Sequence, residues 1–325
     1  ILMSPQKWVR SPGRFLQAIS RHRGTICWMP SFGLNHSVRA VRPSEMEGLD
    51  LSCLRYLPSA AEPVRFDCQQ AFLERFAGCG LCEDVMTTGY GMAENTLAAT
   101  VSPPGRRALV DWIDPVRLQQ QREAVPNGPE QKRISIVSCG QPVVDAEIRI
   151  VDEAGQDLPD RRVGEVLIRT PCLFSGYYRR PDLTAAVLSD GWFHTGDLGY
   201  MADGELYVCG RKKDLIIVGG NNIHPEDVEA VAMGLPGVRG DKVVAFGVPD
   251  DRLGTEAVVV VAELDRYGSE VDTMALEKEL RRLVTTQMEI TLGAVRFVPR
   301  GWVETTANRK LSRSRNRDKF LAERG

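Results

Sequence analysis

Between residues 134 and 208 the sequence is cut into short apolar runs by turn-forming clusters, and this punctuation limits the folds open to it. Ile134 to Ser138, Ala146 to Val151, Val163 to Arg169 and Glu205 to Val208 are strand-length stretches, with clusters such as EAGQD and ADG between them. Runs of that length bounded by turn residues predict strands, and a succession of them predicts an antiparallel sheet or a distorted barrel. Upstream the texture differs. Gly24 to Met29 and Leu51 to Leu57 read as strands and Pro63 to Phe76 as a helix with proline in its first turn, which together imply a parallel α/β layer. From about Pro103 to Lys132 the periodicity dissolves into PPGRR, DWIDP and QQQREAVPNGPEQ, a stretch long enough to be an insertion forming a loop or small subdomain.

After Gly210 the pattern changes again. RKKDLIIVGGNNIHPEDVEAV reads as a basic turn, an apolar strand, a glycine turn and a helix opened by Pro225 with acids in its first turn. Two buried-looking strands, Lys242 to Val248 and Ala257 to Ala262, precede an amphipathic helix from about Thr273 to Val284. This is the composition of a separate small α+β domain, with its boundary at Arg211 to Asp214. The 325 residues, 43% hydrophobic and 26% charged, suffice for two cores.

Charge and cysteine usage exclude several roles. A net charge of −2 argues against a whole-chain polyanion binder, and the basic tail SRSRNRDK lacks the interleaved aromatics of a nucleic-acid surface. No apolar run reaches the roughly 18 residues of a membrane helix. Eight scattered cysteines in a chain of this length suit a reducing compartment, and a cytoplasmic location is the expectation. Cys79 and Cys82 form a lone CxxC pair, which cannot complete a zinc site and reads as two buried thiols near a turn. The first two dozen residues resemble an amphipathic helix with a basic face rather than a signal peptide, and a start at Ile suggests a piece of something longer.

Two stretches carry chemistry. In GWFHTGDLGY, residues 191 to 200, a single acid, Asp197, follows a glycine among apolar and aromatic neighbours. An acid so placed can accept from both hydroxyls of a ribose, or simply close a turn. A second aromatic, glycine and acid combination, TTGYGMAE, occupies residues 87 to 94.

The ordered series TTGYGMAE, GEVLIRT, SGYY, GWFHTGDLGY, GRKKDLIIVGGNNIHPEDVE and TTANRKLSR resembles the adenylate-forming enzyme superfamily from near residue 25 to the end. Within it the chain is most similar to the fatty acyl-AMP ligases. WMPSFGLNH resembles their acyl-pocket strand, SAAEPVR their adenine loop, Ala93 stands where most of the superfamily has Thr, and the insertion lies where theirs does. The resemblance implies an α/β fold: the C-terminal part of a large AMP-binding domain over residues 1–210, with α/β layers and a distorted barrel, then a small mobile α+β domain over 211–325.

The same resemblance assigns roles. Tyr90 stacks on adenine, with Ser59, Ala60, Ala61 and Glu62 on its other side and Thr88, Gly89, Gly91 and Met92 completing the nucleotide site. Asp197 holds the ribose, Arg211 supports the same ribose or the phosphate, and Glu94 holds Mg²⁺ beside the phosphates of ATP. Phe32 and Leu34 face the acyl chain, whose length the residues do not specify. Lys310 is the catalytic residue, an ammonium drawn between two anions as the carboxylate attacks the α-phosphorus. Lys213 is the hinge about which the small domain turns, exchanging Lys310 for the loop with Gly219 and Gly220.

The chain departs from the family near its lysine, where Asn308 and Arg309 replace Ser-Gly and Glu304 replaces a proline. The family's Ser/Thr/Gly-rich phosphate loop is not in this sequence, so the piece by itself is expected to adenylate poorly. The implied function is ATP-dependent activation of a fatty or other carboxylic acid to acyl-adenylate with release of pyrophosphate, then transfer to the phosphopantetheine of an acyl carrier protein. An AMP-forming acyl-CoA synthetase and a silent nucleotide- or carrier-protein-binding remnant are the alternatives. Amino-acid adenylation fits less well, because no acid near Ser31 to His36 awaits an α-ammonium.

Overall fold

Glycine and proline punctuate the chain into elements that a computed structural model describes for residues 3–61, 63–219, 221–250, 255–266, 271–306 and 310–323. It divides into two compact units, one of residues 1–112, 135–195 and 199–208, the other of residues 113–134, 196–198 and 209–325.

The first unit opens with two helices, Pro5–Arg10 and Pro12–His22, where the sequence predicts one. Ser11 and Pro12 cause the break: Pro12 has no N–H to continue the first helix and is preset to begin the second. Leu16, Leu34, Phe72, Leu73 and Phe76 from three helices pack with Leu57 and Met86 from the parallel strand pair Leu57–Ser59 and Met86–Tyr90. The parallel layer is therefore present, with shifted boundaries. Gly24 to Met29 makes a single parallel bridge, Ile26 to Tyr56, rather than a strand, and Leu51–Leu54 is a turn whose strand starts at Leu57. The helix predicted from Pro63 begins at Phe66. The acyl-pocket strand predicted at WMPSFGLNH is a helix, Ser31–Ala40, because Pro30 precedes a run with few β-branched residues. Of the CxxC pair only Cys79 is buried; Cys82 is exposed, and both are free thiols.

The turn-punctuated run forms the expected antiparallel sheet except for its first strand, Ile134–Val137, which belongs to a separate two-stranded sheet. Among the described residues, Glu147–Val151, Gly164–Arg169, Trp192–Ala202 and Glu205–Arg211 lie side by side, with Leu188–Ser189 added at Trp192. Ala99, Cys139, Ile150, Val166, Ile168 and Leu206 make its core. Gly199 is required by a close approach, since a Cβ there would lie 2.5 Å from the Tyr207 carbonyl oxygen.

In the second unit, a three-stranded sheet orders Val238–Asp250, Thr255–Leu264 and Leu292–Val298, the first pair antiparallel and the second parallel. Period-two alternation splits its side chains. Val243, Ala245, Val258, Val260 and Ala262 pack under the helices Pro225–Met233 and Thr273–Met288, while Val244, Phe246, Val259 and Val261 meet Phe320 on the opposite face. Phe320 belongs to a helix, Arg313–Ala322, that includes most of the basic tail SRSRNRDK. The insertion is not a bare loop: it contains Val110–Ile113 and the helix Pro115–Gln121, capped by Asp114, which accepts from Val116 N–H at 2.8 Å and Arg117 N–H at 3.2 Å.

Candidate active site

In the first unit, Ser59 and Thr88 are directly paired across the parallel strands. Ser59 is buried and its Oγ has no hydrogen-bond partner among the described residues. Ala61 just beyond holds φ at 75°, a left-handed conformation uncommon for a residue with a Cβ, so the chain leaves this strand under strain. Glu62 lies outside the described residues. Thr88 is fully buried and its polar groups are spent inside the unit: its hydroxyl meets Ser102 Oγ at 2.6 Å and donates to Ser138 C=O at 2.6 Å, its N–H donates to Ser102 Oγ at 3.2 Å, and its C=O accepts from Ser102 N–H at 2.9 Å. Thr88 therefore anchors the strand through Ser102 and Ser138.

The strand delivers Tyr90, half-buried, onto the apolar cluster of the antiparallel sheet, with Met92 beside it. Gly89 and Gly91 serve packing. A Cβ on Gly91 would sit 1.7 Å from the Leu97 carbonyl oxygen, so only glycine permits the chain to fold back there. Glu94 lies in the short 3₁₀ turn Ala93–Asn95, where its Oε1 accepts from Tyr177 Oη at 2.7 Å. Burial, and then the Glu94 carboxylate, push the Tyr177 phenol up to about 12, so it stays a donor. Phe32 stacks on His36, ring centroids 5.6 Å apart, and Leu34 is sealed in the helical core.

The second unit contains Asp197. It lies inside the long strand Trp192–Ala202 rather than at a turn, and Gly196 before it has φ of 69° in mid-strand. This local kink, which a side chain would resist, bends the strand at its acid. Asp197 is 5% exposed and accepts from Arg211 Nε at 2.9 Å, Arg211 being the last residue of the neighbouring strand. Lys213 is in the 3₁₀ turn Lys212–Asp214 that follows. Gly219, with φ of 56°, turns the hairpin Ile216–Val218 to Asn221–Ile223; Gly220 is outside the described residues.

Lys310 is exposed at the mouth of a loop. Thr306 N–H donates to Lys310 C=O at 2.7 Å and Lys310 N–H donates to Thr306 Oγ1 at 3.2 Å, while 307–309, with Asn308 and Arg309, lie outside the described residues. The loop base is fastened by Asn316, fully buried, which takes the Glu304 N–H at 2.8 Å and donates to the Glu304 C=O at 2.9 Å.

Arg313 is the residue that sequence reasoning missed. Its fork reaches Asp214 at 2.9 Å, Glu226 at 3.0 Å and Glu229 at 2.8 Å. It ties the turn after Arg211 to two helices. No signal in the sequence pointed to it, since one arginine among SRSRNRDK has nothing local to mark it.

The carboxylate of Glu94 has the chemistry of a magnesium ligand. Among the described residues no group of three or more His, Cys, Asp or Glu could hold a metal alone, and Glu94 offers one carboxylate whose Oε2 has no hydrogen-bond partner there. Mg²⁺ commonly takes one or two carboxylates with the phosphates completing its shell.

Residues 1–178 match the AMP-binding enzyme family. The chain belongs to that family. It is 34% identical, over 99% of its length and 56% of the relative's, to a putative acyl-CoA synthetase of Caulobacter vibrioides. A medium-chain fatty acid:acyl-carrier-protein ligase of Moorena producens is 33% identical over 98% of the chain and 56% of that protein. A solved fatty acyl-adenylate ligase, from work on the E. coli and L. pneumophila enzymes, superimposes with a TM-score of 0.89 at 31% identity, over 97% of this chain and 56% of that one. The chain is thus similar to fatty acyl-AMP ligases and has the mixed α/β architecture of a partial adenylation domain. It spans just over half the length of the curated relatives it matches. No described helix is long and apolar enough to cross a membrane.

Proposed function

We propose that the protein of which this chain is a part activates a fatty or related carboxylic acid with ATP, forming an acyl-adenylate and releasing pyrophosphate. The observation that carries this reading is the buried Asp197 on its kinked strand, paired with Arg211, in a chain of the AMP-binding family. Asp197 accepts from the ribose hydroxyls while Arg211 holds its carboxylate in place. Tyr90 offers the adenine a flat face, and Ser59, Ala60 and Ala61 let the base approach the backbone. Glu94 would hold Mg²⁺, which would supply screening of the phosphate charge when bound. Lys310 lowers the barrier as the carboxylate oxygen bonds to the α-phosphorus and the bond to pyrophosphate breaks.

Residues 211–325 act as a small domain that turns at Lys213, exchanging the Lys310 face for the one bearing Gly219. The acyl group then passes to the phosphopantetheine thiol of a carrier protein, with AMP leaving. The Moorena relative's name supports a carrier-protein acceptor, whereas the Caulobacter relative's name supports coenzyme A as the second reading. The test is fatty-acid-dependent ATP–pyrophosphate exchange, followed by mass spectrometry of product after adding coenzyme A or holo-carrier protein. Exchange without any fatty-acid dependence would sink the reading, and acyl-CoA alone would move the acceptor to the second.

A further inference from the structure

The backbone around Glu94 is held more firmly than a surface turn requires. After the 3₁₀ turn Ala93–Asn95, Thr96 adopts φ 65° and ψ −57°, and Leu97 N–H donates to Asn95 C=O at 2.7 Å. That closes a γ-turn of the rarer, strained hand, here centred on a β-branched residue. Such strain persists only where surrounding structure over-determines it.

The restraint comes from residues 170–177 of the same unit. Thr170 Oγ1 donates to Asn95 Oδ1 at 3.0 Å, Thr96 Oγ1 donates to Cys172 C=O at 3.1 Å, and Phe174 N–H donates to Glu94 C=O at 2.7 Å. Tyr177 completes the set through the Glu94 side chain. Each of Glu94, Asn95 and Thr96 thus has a partner on that segment. Tyr177 is itself fixed: its N–H donates to Thr184 Oγ1 at 2.9 Å, its ring meets Phe174 edge-on at 4.9 Å, and Phe174 meets the buried Phe193 at 5.7 Å. Its neighbour Tyr178 is 84% exposed, so the two tyrosines of SGYY differ in role.

We propose that Tyr177 is a positioning residue for Glu94, fixing Oε1 so that the carboxylate presents its other oxygen to the divalent cation accompanying ATP. This rests on the reading of Glu94 as the metal ligand. Mg²⁺ tolerates little departure from octahedral geometry, so a carboxylate free to rotate binds it less well. Loss of a partner that orients a metal ligand costs about 10- to 100-fold in affinity or activity.

The test compares Tyr177→Phe, which keeps the ring and its packing, with Glu94→Gln and the unaltered protein. ATP binding is measured by calorimetry without divalent metal and then with Mg²⁺, and the Mg²⁺ concentration for half-maximal pyrophosphate exchange is determined. Tyr177→Phe is expected to bind metal-free ATP and to melt as the unaltered protein does. Its Mg²⁺-dependent tightening should fall about tenfold or more, with half-saturating Mg²⁺ raised in proportion and exchange recovered at high Mg²⁺. If Glu94→Gln keeps the Mg²⁺ effect, the reading of Glu94 as ligand fails and the proposal with it. If Glu94→Gln loses the effect while Tyr177→Phe keeps it, the positioning role alone is overturned. A Tyr177→Phe variant with a lowered melting temperature or weakened metal-free ATP binding overturns it too, because Tyr177 would then be a structural residue.

Discussion

Arg211 donates its Nε–H to Asp197 Oδ1 at 2.9 Å, from the end of one strand to the kinked middle of its neighbour. Asp197 is almost wholly buried whereas half of the Arg211 side chain is exposed. The arginine aims the acid. Asp197→Ala removes the acceptor and leaves the Arg211 Nε–H without it. Hydrogen bonds to a charged group contribute about 1.5–3 kcal/mol, so ATP and AMP should bind roughly 10- to 100-fold more weakly. Isothermal titration measures this, and unchanged affinity would return Asp197 to shaping the strand.

Lys310→Ala should leave folding and nucleotide affinity intact, because the side chain is exposed. Removing one preorganised group that stabilises transition-state charge slows a reaction by about 10²–10³-fold. Pyrophosphate exchange should fall by that order while ATP binding holds. Full exchange in the variant would remove Lys310 from the mechanism.

Arg313 stands among Asp214, Glu226 and Glu229 with its side chain only 16% exposed. Glu229 also accepts from Ala245 N–H at 2.9 Å, so the cluster joins helix, sheet and turn. Arg313→Met leaves these carboxylates facing each other with no cation. Breaking one partner of a buried ion pair typically costs about 3–5 kcal/mol, and urea unfolding should show a loss of that order. Arg313→Lys should recover only part of it, since an ammonium cannot reproduce the fork. An unaltered midpoint in Arg313→Met would show the cluster to be incidental.

Two groups near Gly210 set opposed pH dependences. His224 is 3% exposed with its Nδ1 unpartnered among the described residues, and burial, reinforced by the positive charge of Arg122, pushes its imidazole down to about 4. The unfolded chain takes a proton near 6.5 that the folded chain refuses, so this contribution is present above 6.5 and is lost as pH falls toward 4. Glu226 is pushed up to about 7 by burial, against the pull of Arg313 and with the push of Glu229. The folded chain takes its proton first, so that contribution is present below 4.5 and is lost as pH rises through 7. The slopes offset between 4.5 and 6.5. Glu226→Gln should unmask the histidine, with unfolding free energy dropping by roughly 3 kcal/mol as pH falls from 6.5 to 4. Guanidinium unfolding across that range is the measurement, and a flat profile in Glu226→Gln would refute the assignment.

Much of the architecture was legible because local pattern and tertiary environment agree. The strands from Ile134 to Val208, the helix opened by Pro225 and the alternating strands of the second unit carry their period in their own residues, and turn chemistry marks their ends. Misreadings fall where local signals conflict with context. Leu51–Leu54 is apolar enough for a strand, yet Leu51 and Leu54 are core residues of a turn, and WMPSFGLNH is apolar enough for either helix or strand.

The sequence by itself determined the family, the order of its motifs along the chain and which residue types could handle a nucleotide, since these depend on short contiguous stretches. Only the tertiary structure decided what those residues touch. Thr88 spends its hydroxyl on Ser102 and Ser138, Gly91 makes room for a carbonyl at Leu97, Tyr177 holds a carboxylate 83 residues away, and Arg313 gathers acids from up to 99 residues away. A hydrogen bond or ion pair is formed by position in space, and no periodicity along the chain encodes a partner that arrives only when the chain folds back upon itself.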